Sequence, residues 1–142
     1  MNLRRVLLDT NLYMGWLNRG LYPELMVGPG LVRYLAAVVA MELRIGARTL
    51  PARRALDKLL RAYHASRRIV VPSATLYDEA GRVLRKLHER GREIRRASLV
   101  NDVLIALCAR SVGATLFTGD EDHRVIQDVV GHSLEIVRVA SS

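Results

Sequence analysis

The chain has 142 residues, half of them hydrophobic and a quarter charged, which suits one globular domain over residues 1–142 with a real core. Its 22 Lys and Arg against 14 Asp and Glu leave a net charge of +8, pointing to a polyanionic partner such as nucleic acid. Aromatic residues, at 5%, are too few for a surface of base-stacking platforms, and the single cysteine, Cys108, permits neither an internal disulfide nor a zinc-ligand spacing.

Arg5 to Leu8 reads as a short buried strand that ends at Asp9. Thr10 or Asn11 can cap a helix running through Tyr13, Trp16 and Leu17. Residues 20–30 hold two prolines and three glycines, so a loop or broken helix is expected. The apolar run Tyr34 to Met41 fits a short strand near Leu35 and then a helix that carries Glu42 to Gly46. Pro51 opens a helix with Leu56, Leu59, Leu60 and Tyr63 on one face. Ile69 to Val71 is a strand stopped by Pro72, and Ser73 caps a helix whose apolar side is Leu76, Ala80, Val83, Leu84 and Leu87. Its other side carries Arg82, Arg85, Lys86 and Arg90, followed by a basic connection through Arg92, Arg95 and Arg96. Ser98 to Val112 is a strongly apolar helix that takes in Cys108 as a core filler. Thr115 to Phe117 is a strand, Asp120 to Val130 a short helix, Leu134 to Val139 a last strand, and the remaining residues a loose tail. None of the four histidines has ligand spacing; His64, His88 and His132 are expected at the surface, and His123, beside the acids, is a minor candidate for touching substrate or metal.

Strands alternate with helices and no Asn-Gly or Asp-Gly hairpin signal occurs. The fold class is therefore α/β: a three-layer α/β/α sandwich around a mostly parallel sheet of four to five strands. Arg4 and Arg5 lead into an apolar stretch that breaks at Asp9, which is neither a signal peptide nor a membrane span. With a lone cysteine, that fits a reducing cytoplasm.

Four acids stand at the ends of apolar runs: Asp9, Glu42, Asp102 and Asp120. A buried carboxylate is costly unless paired, protonated or bound to metal. Taken one at a time, each has an ordinary role. Asp9 can cap its helix, Glu42 can pair with Arg44 or Arg48, Asp102 can serve the dipole in the first turn of its helix, and Asp120 with Gly119 can make a turn. Asp9 and Asp120 nevertheless follow strands, and in an open parallel sheet ligands bind outside the strands' carboxyl ends. Carboxylates that converge there without basic partners form a hard-oxygen site for Mg²⁺ or Mn²⁺. Such an ion activates water and steadies the leaving oxygen of a phosphodiester.

Leu8-Asp9-Thr10-Asn11, Met41-Glu42-Leu43 with Gly46, Asn101-Asp102-Val103-Leu104-Ile105-Ala106 with Gly113-Ala114, and Thr118-Gly119-Asp120-Glu121-Asp122 together resemble the PIN domain, particularly its VapC-type toxin branch. The ordered set spans essentially the full chain. The resemblance implies a Mg²⁺- or Mn²⁺-dependent endoribonuclease in which Asp9, Glu42, Asp102 and Asp120 are the catalytic, metal-binding acids. Asp122 is a further candidate ligand, and Asp120, Glu121 and Asp122 compete for the fourth corner. Thr118 would support the site by hydrogen bonding, and Asn11 would orient ligands or water. The resemblance also implies a homodimer and a small antitoxin partner that wraps the toxin and blocks its cleft. Two positions depart from the family pattern: His123 stands where an aromatic residue is usual, and Ala37 where a small hydroxyl residue is common.

Arg82, Arg85 and Lys86 are candidates for holding RNA phosphates. Other readings compete: an RNA-processing PIN nuclease that is not a toxin, a catalytically silent basic RNA-binding module, and a phosphotransferase with an Asp nucleophile. The last wants a second acid two residues after the first, where this chain has Asn11.

Overall fold

The structure is a computed structural model that describes residues 3–93 and 96–138. In chain order it contains β1 (Arg4–Leu8), α1 (Thr10–Arg19), α2 (Pro23–Val27), β2 (Leu31–Ala36), α3 (Ala37–Gly46) and α4 (Leu50–Ser66). These are followed by β3 (Ile69–Val70), α5 (Ala74–Glu89), α6 (Ala97–Ser111), β4 (Thr115–Thr118), α7 (His123–Val130) and β5 (Leu134–Ile136). All strand pairs are parallel and the order is β3-β2-β1-β4-β5, so β1 lies at the centre, with Val6 facing Arg33 on one side and Thr115 on the other. The expected three-layer α/β/α architecture is the one observed.

Burial follows from that placement. Val6, Leu7 and Leu8 are wholly enclosed, as an unbroken apolar run must be when both sheet faces are covered by helices. Helices α4 and α5 begin where the sequence supplies caps, whereas α3 and α6 have no side-chain cap. The Thr49 hydroxyl accepts from the Ala52 amide and that of Ser73 from the Leu76 amide, both at 3.2 Å. In α6 every residue from Val103 to Ala109 is buried, Cys108 included. No helix among the described residues is long and apolar enough to cross a membrane.

Several boundaries differ from expectation for physical reasons. β2 starts at Leu31 and includes Arg33, whose guanidinium folds back onto the carbonyls of Leu25 and Gly28 at 2.5 and 2.6 Å. Those bonds also hold α2, a single turn and a half inside the segment read as loop or broken helix. Asp102 is the sixth residue of α6, in its second turn, and the helix dipole acts mainly on the first, so the dipole does not account for it. The last helix begins at His123 because residues 120–122 form a turn. β5 ends at Ile136, and Val139, Ile94, Arg95 and the tail lie outside the described residues.

His132 is a correction: it is buried, at 3% exposure, and neither ring nitrogen has a hydrogen-bond partner. Burial first, then the nearby charges of His123 and Arg110, push it from the ordinary 6.5 down to about 4. The unfolded chain therefore takes up a proton near pH 6.5 that the folded chain refuses until about pH 4. Stability is lost as pH falls through that window, by up to about 3 kcal/mol. His132→Leu is expected to flatten this part of the profile, measured by urea unfolding between pH 7 and pH 4.5; an unchanged slope would remove His132 as its source.

Candidate active site

The strand order places a topological switch between β1 and β4, where parallel sheets open a crevice at their carboxyl ends. Asp9 stands at that point. Its amide donates to the Phe117 carbonyl at 2.9 Å, which ties the end of β1 to β4. Its residue is only 4% exposed. Oδ1 accepts from the Thr10 amide at 2.8 Å and so caps α1. Oδ2 accepts from the Thr118 hydroxyl at 2.7 Å and the Asn11 side-chain amide at 3.3 Å. Asp9 thus has the ordinary capping role and a second one beyond it.

Three more bonds fix the loop after β4. Asn11 Nδ2 also reaches the Thr118 hydroxyl at 3.2 Å, and Asn11 Oδ1 accepts from the Gly119 amide at 3.0 Å. The Asp120 amide donates to Thr118 Oγ1 at 3.1 Å. A Cβ at Gly119 would lie 3.4 Å from Asn11 Oδ1, so the small residue lets the loop come close. Asp120 in turn accepts from the Asp122 amide at 2.9 Å through Oδ1, which shapes the turn into α7.

That turn delivers His123 into the protein at 0% exposure. Its Nε2 is 3.1 Å from Asp9 Oδ2 and 3.4 Å from Asp102 Oδ1. Asp9, Asp102 and His123 each offer one such atom, all within 4.8 Å of one another. Burial alone would lower the histidine, but the two carboxylates outweigh it and push it up to about 10. For Asp9, burial raises the carboxyl, and the contacts with His123, Thr118 and Thr10 prevail to hold it below its usual value. Asp102 goes the other way. Burial, with the repulsion of Asp9 and Asp120, lifts it despite its contact with His123.

Glu42 joins this group indirectly. Oε1 accepts from the Thr10 hydroxyl at 2.6 Å and Oε2 from the Asn101 side chain at 3.5 Å, so its two partners are the chain neighbours of Asp9 and Asp102. Asp102, Asp120 and Asp122 line a cavity of about 320 Å³ together with Arg92, Glu93 and Arg96. Among the described residues no Lys or Arg forms an ion pair with Asp9, Glu42, Asp102, Asp120 or Asp122. Glu121 faces outward and pairs with Arg138. Arg82, Arg85 and Lys86 are exposed on α5 but do not line the cavity, and Arg82 pairs with Asp78 at 3.3 Å.

The signs of the carboxyl shifts predict opposite behaviour for two isosteric changes in chelator. Asp9→Asn removes a charge that the fold stabilises and should cost about 1–3 kcal/mol, the range for disturbing a buried hydrogen-bonded group. Asp102→Asn removes a charge that burial and its neighbours penalise, and should raise the melting temperature. Thermal unfolding of both in EDTA checks this, and equal shifts of one sign would contradict it.

The family model of the PIN domain matches residues 6–129. The VapBC-5 toxin–antitoxin structure from Mycobacterium tuberculosis is similar at 26% identity, covering 95% of this chain and 98% of that one, with a TM-score of 0.61. VapBC2 from Rickettsia felis, solved with a DNA fragment from its promoter, matches at 23% identity over 94% and 99% of the two chains, with a TM-score of 0.69. FitAcB from Neisseria gonorrhoeae matches at 20% identity over 91% and 95%, with a TM-score of 0.67. The last two show likeness of fold alone. No curated protein sequence is similar enough to match. With strand order, switch-point acids and a family model running from β1 into α7 in agreement, the chain belongs to the PIN domain family.

Proposed function

We propose that the protein is a divalent-metal-dependent endoribonuclease, and that it is the toxin of a toxin–antitoxin pair. The observation that carries this reading is a set of buried or half-buried carboxylates with no ion pair to an arginine or lysine among the described residues. Asp102 is raised by burial and by its acidic neighbours, a tension that a cation would relieve. The donors fit Mg²⁺ or Mn²⁺, which favour oxygen ligands. Asp9, Asp102 and Asp120 would hold the ion, with Glu42 and Asp122 at its margin. Once bound, the ion supplies Lewis acidity for activating water and for offsetting phosphate charge.

The remaining work belongs to the protein. Thr118 and Asn11 fix the Asp9 carboxylate so that it need not reorganise when substrate arrives. Thr10 and Asn101 fix the Glu42 carboxylate through the neighbours of Asp9 and Asp102. Arg92 and Arg96 line the same cavity, where their charge would attract a phosphate backbone. Arg82, Arg85 and Lys86 extend positive charge along α5, farther from the acids.

The toxin role, the RNA substrate, a homodimer, a cytoplasmic setting and a cognate antitoxin rest on family membership and on likeness to a VapBC system at 26% identity. Expression without the antitoxin should arrest growth, and the neighbouring reading frame should relieve it. A processing nuclease would show no such relief.

Purified protein should cleave RNA with Mg²⁺ or Mn²⁺, stop in EDTA, and lose cleavage in Asp9→Asn. Thr118→Val, which keeps shape but removes the hydroxyl, should lower activity about 10–100-fold, as expected for a residue that orients a ligand. RNA that is bound equally well in EDTA and by Asp102→Ala, and never cut, would mark a silent binding module instead.

A further inference from the structure

We propose that His123 is itself a ligand of the cation through Nε2, which makes the centre a mixed nitrogen–oxygen site that prefers transition metals to Mg²⁺. The inference rests on the metal-site reading above and concerns which ion that site takes.

The side chain is completely enclosed, and its Nε2 lies close to one carboxylate oxygen of Asp9 and one of Asp102. At 3.1 and 3.4 Å these are hydrogen-bond distances, yet neither ring nitrogen has a hydrogen-bond partner of proper alignment. A hydrogen bond needs the oxygen near the N–H axis. The rival role for a histidine here is an imidazolium that serves as counter-ion to Asp9 and Asp102. That role rewards donation along the axis, and the oxygens lie off it. Ligation makes a different demand. It needs donor atoms of several residues gathered about a shared point, and these three lie within 4.8 Å of one another.

The position of His123 is not an accident of a loose surface loop. Asp120 and Asp122 form the hydrogen-bonded turn that starts α7, and His123, Ile126 and Val130 form the buried side of that helix. The same packing that seats the helix therefore aims the imidazole. Thr118 and Asn11 occupy Asp9 Oδ2 from other directions, so Asp9 is held in place while the histidine faces it.

The consequence is selectivity. Imidazole suits Mn²⁺ less than Co²⁺, Ni²⁺ or Zn²⁺, and Mg²⁺ least, because Mg²⁺ keeps oxygen and water ligands. The expected order is Co²⁺ above Mn²⁺ above Mg²⁺, with Co²⁺ at least about tenfold tighter than Mg²⁺.

Two measurements test this without reading activity. Pulsed electron paramagnetic resonance of the full chain loaded with MnCl₂ should show coupling to a ¹⁴N nucleus, converted to a ¹⁵N pattern in protein labelled at histidine. The coupling should persist in His132→Asn and vanish in His123→Gln. Competition titration of CoCl₂ against MgCl₂ should show the preference shrinking at least about tenfold in His123→Gln. If that variant fails to fold, the wild-type spectrum still decides. Mn²⁺ bound without nitrogen coupling overturns the ligand assignment and leaves the carboxylate site standing. Absence of Mn²⁺ binding, or unchanged binding in Asp9→Asn and Asp102→Asn, overturns the metal site and this inference together.

Discussion

Asp9 carries a negative charge almost wholly out of water, and the chain commits three separate segments to keeping it there. An isolated carboxylate in that position would protonate. Here the amide of Thr10, the hydroxyl of Thr118 and the imidazole of His123 come from α1, β4 and α7, and together they more than offset the burial. The β1/β4 pairing brings those elements together, because the Asp9 amide is itself bonded to the Phe117 carbonyl. Loss of that pairing would take away the Thr118 hydroxyl that the buried charge relies on. Fold and site are in this sense one constraint: the central strand cannot end as it does unless the loop after β4 is also in place.

The second layer of organisation lies in the residues beside the acids. Thr10 follows Asp9 and holds Glu42; Asn101 precedes Asp102 and reaches the other oxygen of Glu42. Adjacent helical residues diverge by about 100°, so Asn101 and Asp102 address two different neighbours from one turn. Asn11 does the same from α1, reaching Asp9, Thr118 and Gly119. Glu42 is therefore held by residues encoded next to two other acids. A shift in α3 or α6 would disturb Glu42 and the Asp9–Asp102 pair at once.

Much of this was legible in the order of elements. A chain of alternating strands and helices has a parallel sheet, and a parallel sheet puts every strand's carboxyl end on one edge. Asp9 and Asp120 follow strands and so lie along that edge. Glu42 and Asp102 sit on helices, where convergence depends on rotation about the helix axis, and spacing alone does not set that. The burial of two histidines was missed for a related reason. A single polar residue gives no pattern by itself, but its phase relative to apolar neighbours does. His123 shares the stripe of Ile126 and Val130 on α7, and His132 shares the period-two face of Leu134 and Ile136. Reading apolar periodicity through a histidine, rather than stopping at it, would have placed both inside. Arg33 was opaque because its role is to satisfy loop carbonyls, a purely tertiary task.

The net charge of +8 and the acidic crevice appear opposed only if charge is averaged over the molecule. At physiological salt an exposed charge is felt over about 8 Å. The excess of arginine draws a polyanion to the surface, while the potential inside the crevice is set by Asp102, Asp120 and Asp122 and by what they hold. Arg92 and Arg96 line that same cavity beside Glu93, so charges of both signs meet there. A phosphate backbone is attracted by the arginines and repelled by the carboxylates until these are neutralised. Under the proposed function, cation loading is then a condition for productive seating of RNA and not merely for its cleavage. The basic surface governs how fast substrate arrives, and the buried acids govern whether it can go further in.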